Sequence, residues 1–399
     1  MFYYVLFLWT LFLFIPQLTH SMITKIVIEK REPFANGYEF PVTGAYEKLV
    51  GKAYGEVDPK NPLNKVLVNL DKAPRNQKGR VEYWTDIYIL KPVDMSRGNG
   101  KIFYDAPNRG SKRILMFLND APESNDPSTL EHAGNAFLMR QGYTIVWSGW
   151  QGDLTSGENF LIMGVPVASN NGKEIIKTVR TEIVVTREGV MSQPLSADNR
   201  VMSYEAATTD KSQASLTVRE KSYDSRAPVP SSEWEFASCN KDKETGKVQM
   251  KPSTKNLCLL SGFKPGHIYE FIYPAKNPLV LGLGFTGVRD LISFLRYEMK
   301  DSAGTPNPLT FGKDKTGIKR AYAWGRSQSG RFLRDLVYHG FNEDESHRQV
   351  FEAISPHVAG GGRLFLNYEF ARPVTSSQQH TNQLDPELFP FAYNILKDP

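Results

Sequence analysis

The chain has 399 residues, 40% hydrophobic, 23% charged and 12% aromatic, a mix that excludes collagen, a coiled coil and wholesale disorder and allows a large core. Its net charge of +5 is spread without a run of Lys or Arg longer than two, which argues against a nucleic-acid partner.

Residues 2–15 form an uncharged apolar run closed by Pro16, with Thr19 and Ser21 as small residues before a cut at Met22. This reads as a secretory signal over residues 1–21 and so as a secreted or extracytoplasmic protein. The usual basic n-region is missing, so an uncleaved membrane anchor and an internal start at Met22 stay open. Membrane contact is expected only through residues 2–18, if these are retained.

From Ile23 to Pro92 the chain reads as β. Segments Ile23–Glu29, Ala45–Val57, Val66–Leu70 and Val81–Leu90 are rich in β-branched and aromatic residues and are separated by turn formers. Lys101–Asp105 is a further strand, ended by Pro107-Asn108-Arg109-Gly110. Helical spacing over His132–Arg140 and a strand at Tyr143–Trp147 follow.

Residues 155–280 break this rhythm with β-like pieces such as Ile175–Val185 and a polar stretch, Thr208–Ser232, and read as an insertion or cap. A helix over Val288–Glu298 shows Val288, Leu291, Ile292 and Leu295 on one face, with Arg289, Asp290 and Arg296 elsewhere. Lys319–Trp324 and Val350–Ser355 are strands on either side of a helix at Phe332–His339. The pattern predicts an α/β class with a mostly parallel sheet and helices on both faces, preceded by a β-rich part.

Cys239 and Cys258 are the only cysteines, and outside the cytoplasm they can close a disulfide; buried free thiols are the alternative. No zinc-type spacing of Cys or His occurs, and no cofactor or metal is expected. No Asn-x-Ser/Thr acceptor is present either.

The chemistry concentrates in Gly325-Arg326-Ser327-Gln328-Ser329-Gly330-Arg331. A strand that turns at once into a helix holds its turn residue in a strained conformation and demands small residues two positions to either side. Gly325 and Ser329 meet that demand around Ser327, whereas Ser329 as nucleophile would put Arg331 at a small position. The turn would expose the Ser327 hydroxyl at a helix N-terminus, with the Gln328 N–H as an oxyanion donor. A plain Gly/Ser turn is the bland alternative.

These residues, with Gly-Tyr-Thr-Ile-Val-Trp-Ser-Gly-Trp-Gln-Gly-Asp at 142–153, Gly-Leu-Gly-Phe-Thr-Gly-Val-Arg-Asp-Leu at 282–291 and Pro-His-Val-Ala-Gly at 356–360, resemble the α/β-hydrolase-domain family from about Ile23 onward. The resemblance implies an α/β-hydrolase fold with Ser327 at the nucleophile elbow and a second oxyanion donor in the loop holding Asn108, Arg109 and Gly110. It also implies an acid and a histidine after the serine. The segments after Ser327 look too few to carry both, so the domain at 22–399 reads as lacking the usual C-terminal third.

Among the histidines after Ser327, His339 sits at the far end of the following helix, about 18 Å away. His347 lies in a charged loop and His380 in a tail. His357 follows a strand beside the elbow strand and is the candidate base, with a structural role as its alternative. Glu369 and Asp385 are no better than loop charges as the acid.

Two functions follow. One is an exported serine hydrolase of the esterase type acting on a small-molecule ester or similar carbonyl substrate, weakened if acid and histidine are missing. The other is a secreted, non-catalytic ligand-binding protein, or a fragment, on a hydrolase scaffold.

Overall fold

The computed structural model describes residues 22–195, 201–242, 244–312 and 315–372. The expected signal or anchor, His380 and Asp385 lie outside these residues. Among the described residues, no helix is long and apolar enough to cross a membrane.

The main sheet is built from β1 (Ile23–Pro33), β2 (Tyr46–Val57), β3 (Val81–Pro92), β4 (Lys101–Asp105), β5 (Thr144–Ser148), β6 (Arg320–Arg326) and β7 (Ala353–His357), with a two-residue strand, Met163–Gly164, added to β3. The order across the sheet is β1-β2-β3-β5-β4-β6-β7. The expected mostly parallel sheet is corrected here: it is mixed. Its first three strands and the β3/β5 pair run antiparallel, whereas β5, β4, β6 and β7 are mutually parallel. The cause is the connections. Only loops and short 3-10 turns join β1, β2 and β3, which suits antiparallel neighbours, and helical crossovers begin after β4.

Four α-helices accompany the sheet among the described residues: α1 (Ile114–Leu118), α2 (Phe137–Arg140), α3 (Leu283–Tyr297) and α4 (Gln328–Tyr338). Alternate side chains of the strands feed two cores. Ile87, Ile89, Ile102, Tyr104, Val146, Ala321 and Ala323 pack with α3 and α4 on one face. Tyr88, Leu90, Ile145, Trp147 and Trp324 pack with α1 and α2 on the other.

Three local expectations are corrected. Val66–Leu70 is no strand: it is a looped segment in which Leu67 and Leu70 dip into the core and Asn69 takes a left-handed φ of 62°. The Asn367 side chain bonds the Val68 N–H and the Val66 carbonyl, supplying what a strand neighbour would. The helix over His132–Arg140 is broken into a 3-10 turn, Glu131–Ala133, and α2, because Gly134 and Ala136 have φ of 55° and 56°.

The third concerns α3, which is buried all round. Arg289 and Asp290 lie in the interior, paired at 2.7 Å, with the Tyr83 hydroxyl donating to Asp290 and Arg289 donating to Asn64 and Glu345. A buried charge survives only with such partners, and the pattern of apolar residues alone does not reveal them.

Residues 155–280 hold most of the remaining strands. A four-stranded antiparallel sheet runs in the order Ala227–Val229, Ser215–Arg219, Ile268–Lys276, Ile176–Ile183, beside a three-stranded sheet of Ser192–Pro194, Asn256–Leu259 and Trp234–Glu235. Trp234, Phe236, Phe271 and Tyr273 interlock edge-on and stacked in their own core. A disulfide joins Cys239 to Cys258, tying the hairpin Ala237–Lys241/Val248–Pro252 to the three-stranded sheet. Cross-linking a loop of this length restricts the unfolded chain by about 3 kcal/mol. Replacing both cysteines with serine should lower the chemical-denaturation stability of the chain by about that amount; unchanged denaturation curves would show that the bond does not constrain the fold.

Candidate active site

The connections on either side of β4 leave in opposite directions. From β4 the chain passes through α1 and α2 on one face to reach β5, whereas it arrives at β6 from α3 on the other and leaves β6 into α4. Adjacent parallel strands whose following helices diverge open a crevice at their carboxyl ends, the usual place for a ligand in an open α/β sheet. Ser327 stands there.

Ser327 links β6 to α4 with φ 58° and ψ −116°, a conformation that L-residues rarely occupy and that costs on the order of 1–3 kcal/mol. Its neighbours make the turn feasible. A Cβ at Gly325 would lie 2.5 Å from the Ser329 carbonyl oxygen, and one at Gly330 would lie 2.9 Å from the Gly325 oxygen and 3.0 Å from that of His357. The Ser327 N–H donates to the His357 carbonyl at 2.9 Å, and the Ser327 carbonyl accepts from Arg331 at 3.0 Å.

The hydroxyl has a different fate from that of most serines before a helix. A capping serine turns its oxygen onto the first-turn N–H groups, but Ser327 makes no side-chain cap bond and is half-buried. Ser327 thus stands at the start of α4, on the positive end of the helix dipole, with its hydroxyl unused as a cap. The underside of α4 is anchored by Phe332, Leu333 and Leu336, which are fully buried, each contributing about 1.5–3 kcal/mol. Phe332 stacks on Trp150 at 4.2 Å and on Phe285 of α3 at 5.2 Å.

The neighbouring loops are tied to this turn. Asn108 and Ser111 close a tight turn, with Arg109 and Gly110 at φ 51° and 83°. The Asn108 N–H is used in that turn, donating to Ser111 at 3.0 Å, so the main-chain donor expected of Asn108 already has a partner. Its side chain instead donates to the Arg326 carbonyl at 2.8 Å, and the Trp150 indole donates to the Pro107 carbonyl at 2.7 Å. In the glycine-rich start of α3, Gly284 lies so close to the Trp150 carbonyl that a Cβ would come within 2.2 Å.

The histidines after Ser327 are now placed. His339 lies at the far end of α4, where its Nε2 accepts from Arg363 at 2.8 Å; burial and that guanidinium push its pKa down to about 4. It is a neutral acceptor there. His347 is exposed and pairs with Glu343. His357 is exposed at the end of β7, and its ring lies flat on Trp324 and near Phe117, both 5.8 Å between centroids. Trp324 lies two residues before the strand partner of His357, so the imidazole leans back along the sheet, and among the described residues it bonds neither Ser327 nor a carboxylate. Glu369 pairs with Lys72 and Lys177. The structure thus brings the His357 main chain, but not its ring, to Ser327.

Other features had no legible role in the sequence. Arg331 donates to the Ala359 carbonyl at 2.5 Å and Arg334 to that of Gly360 at 2.7 Å, so α4 grips the loop after β7. Asp105, fully buried at the end of β4, accepts from the Arg113 and Ile114 N–H groups and from Trp147; burial pushes its pKa up to about 7. Asp105 stands immediately before the turn that braces the elbow, and its acceptor bonds hold the start of α1. A groove of about 840 Å³ lined by Tyr54, Tyr83, Trp84 and Pro166 opens where β3 runs past the end of β5, and no residue of the elbow lines it.

Comparison with protein families matches residues 239–391 to the alpha/beta hydrolase domain. The resemblance carried by the sequence motifs is therefore supported over the stretch that contains α3, the β6–Ser327–α4 turn and β7. Neither the curated proteins nor the solved structures give a match.

Two outcomes follow from this geometry. Gly325→Ala should lower stability by about 2–4 kcal/mol in urea titration, because the clash is with backbone and nothing flexible can yield; a loss under half a kcal/mol would mean that the turn is looser than described. His339, held below its ordinary 6.5, makes a stabilising contribution that is complete above pH 6.5 and is lost as pH falls toward 4. In His339→Gln the drop in Tm between pH 6.5 and 4 should be smaller than in the parent chain, and an identical pH profile would exclude the buried neutral imidazole.

Proposed function

We propose that the protein is a serine hydrolase of the esterase type on an α/β-hydrolase fold, with Ser327 as nucleophile. The observation that carries this reading is the hydroxyl left uncapped at a strained strand-to-helix turn, next to a helix N-terminus. In this reading Ser327 Oγ attacks the carbonyl carbon of a small-molecule ester, the Gln328 N–H stabilises the resulting oxyanion, the alcohol departs with a proton, and water hydrolyses the acyl-enzyme. The loop at 106–113, fixed to the elbow by Asn108, is where the second donor belongs. Export through residues 1–21 belongs to the same proposal, and a disulfide suits an oxidising compartment.

A second reading, a ligand-binding protein on a hydrolase scaffold, is favoured by one observation: among the described residues no histidine bonds Ser327. Without a base, the elbow and oxyanion donors alone leave catalysis far below that of an intact triad.

A fluorophosphonate probe separates the two, because it reacts only with an activated hydroxyl. The expected result is labelling of the full chain that disappears in Ser327→Ala, with His357→Ala and His380→Ala assayed alongside to find the base. A folded chain that takes no label overturns the esterase reading in favour of binding.

A further inference from the structure

The groove of about 840 Å³ beside β3 lies apart from the elbow and has the size of a small-molecule site. One register row across four strands runs along it: Lys25 of β1 opposes Tyr54 of β2, Tyr54 opposes Trp84 of β3, and Trp84 opposes Gly164. Residues directly opposite each other project to the same face, so cation, phenol and indole stand side by side on strands about 4.8 Å apart. Gly164 gives the row its width. A Cβ there would come within 1.9 Å of Trp84 Nε1, so with any other residue at 164 the indole would have to move.

The groups that the fold leaves open along the groove are of one kind. Tyr54 is 37% exposed and Trp84 half-buried, and the Trp84 N–H has no hydrogen-bond partner among the described residues. Lys25 is exposed and carries no ion pair there. Arg75, on the loop before β3, donates to the Asp71 carbonyl at 3.3 Å and has no carboxylate partner among the described residues. The carboxylate on this wall, Glu82, accepts from Asn76 at 3.0 Å. Lys52 lies over the Trp84 ring at 4.2 Å, but its charge is spent on Asp86. What remains is a set of donors, two cations and an indole N–H, around aromatic rings. Such donors are matched by an anion, and such rings by a flat apolar body.

We propose that this groove binds a small aromatic carboxylate, with its ring against Tyr54 and Trp84 and its carboxylate between Lys25 and Arg75. An aromatic surface also suits a neutral sugar, but a sugar would bring no charge to either cation. The site shares no residue with the elbow, so it stands apart from the esterase reading of Ser327.

The test is equilibrium dialysis of the full chain against 2-naphthoate and its neutral counterpart, 2-naphthalenemethanol, with methyl β-glucoside as a competitor. Naphthoate should bind about tenfold tighter than the alcohol, the effect of one charge-assisted hydrogen bond, and the preference should shrink as salt is raised. Lys25 and Arg75 are both exposed, so replacing them leaves the core untouched. In the double variant Lys25→Met, Arg75→Met the preference should vanish while the affinity for the alcohol stays. Tyr54→Ala should weaken both naphthalenes by a similar factor.

A preference that survives in the double variant would put the carboxylate elsewhere, the elbow included, and overturns the proposal. Equal affinity for the two naphthalenes, binding of neither, or displacement of naphthoate by an equal concentration of the glucoside overturns it as well. None of these results bears on labelling at Ser327.

Discussion

Everything at the candidate site depends on one backbone constraint: Ser327 must hold a positive φ between a strand and a helix. That conformation is unfavourable for a serine, and it persists because the surroundings over-determine it. The absence of side chains at Gly325 and Gly330 lets the Ser329, Gly325 and His357 carbonyls close in, and the His357 carbonyl captures the Ser327 N–H. The same bend that strains the backbone keeps the hydroxyl from capping the helix it precedes. Strain and availability of the oxygen are two consequences of one pair of torsion angles.

The rest of the local structure reads as bracing for that turn. Loops from three neighbouring strands converge on it: Asn108 after β4 bonds the Arg326 carbonyl, Trp150 after β5 lies on α4 and bonds Pro107, and the segment after β7 is gripped by Arg331 and Arg334. The short motifs whose combination resembles a hydrolase domain are thus the pieces that touch. Gly284 of the second glycine-rich motif packs on the carbonyl of Trp150, and His357 of Pro-His-Val-Ala-Gly supplies the carbonyl that fixes Ser327.

Much of this frame was legible in the sequence. The strands Lys101–Asp105 and Ile23 onward, the helix after Gly330 and the special status of Ser327 all announce themselves through residue size and period. What was illegible shares a physical cause. The antiparallel half of the sheet depends on connections that periodicity does not encode, and Val66–Leu70 has a strand's composition but is held as a loop by Asn367, some 300 residues away in the chain. Arg289 and Asp290 look like a solvent face until their partners at Asn64, Tyr83 and Glu345 are brought in by tertiary structure. For the site, a motif names Ser327 and Gln328, but it cannot say that the His357 ring leans on Trp324 or that the Asn108 N–H is already committed to Ser111.

The arginine grip on the segment after β7 has a consequence for how this region tolerates change. Arg331 and Arg334 donate to the main-chain carbonyls of Ala359, Gly360 and Gly362. Main-chain oxygens are the same whatever residue carries them, so substitutions that keep the path of residues 359–360 leave the grip intact. This part of the docking information resides in α4, and swapping the Arg334 guanidinium for a point-like ammonium would forfeit the fork that reaches two carbonyls at once.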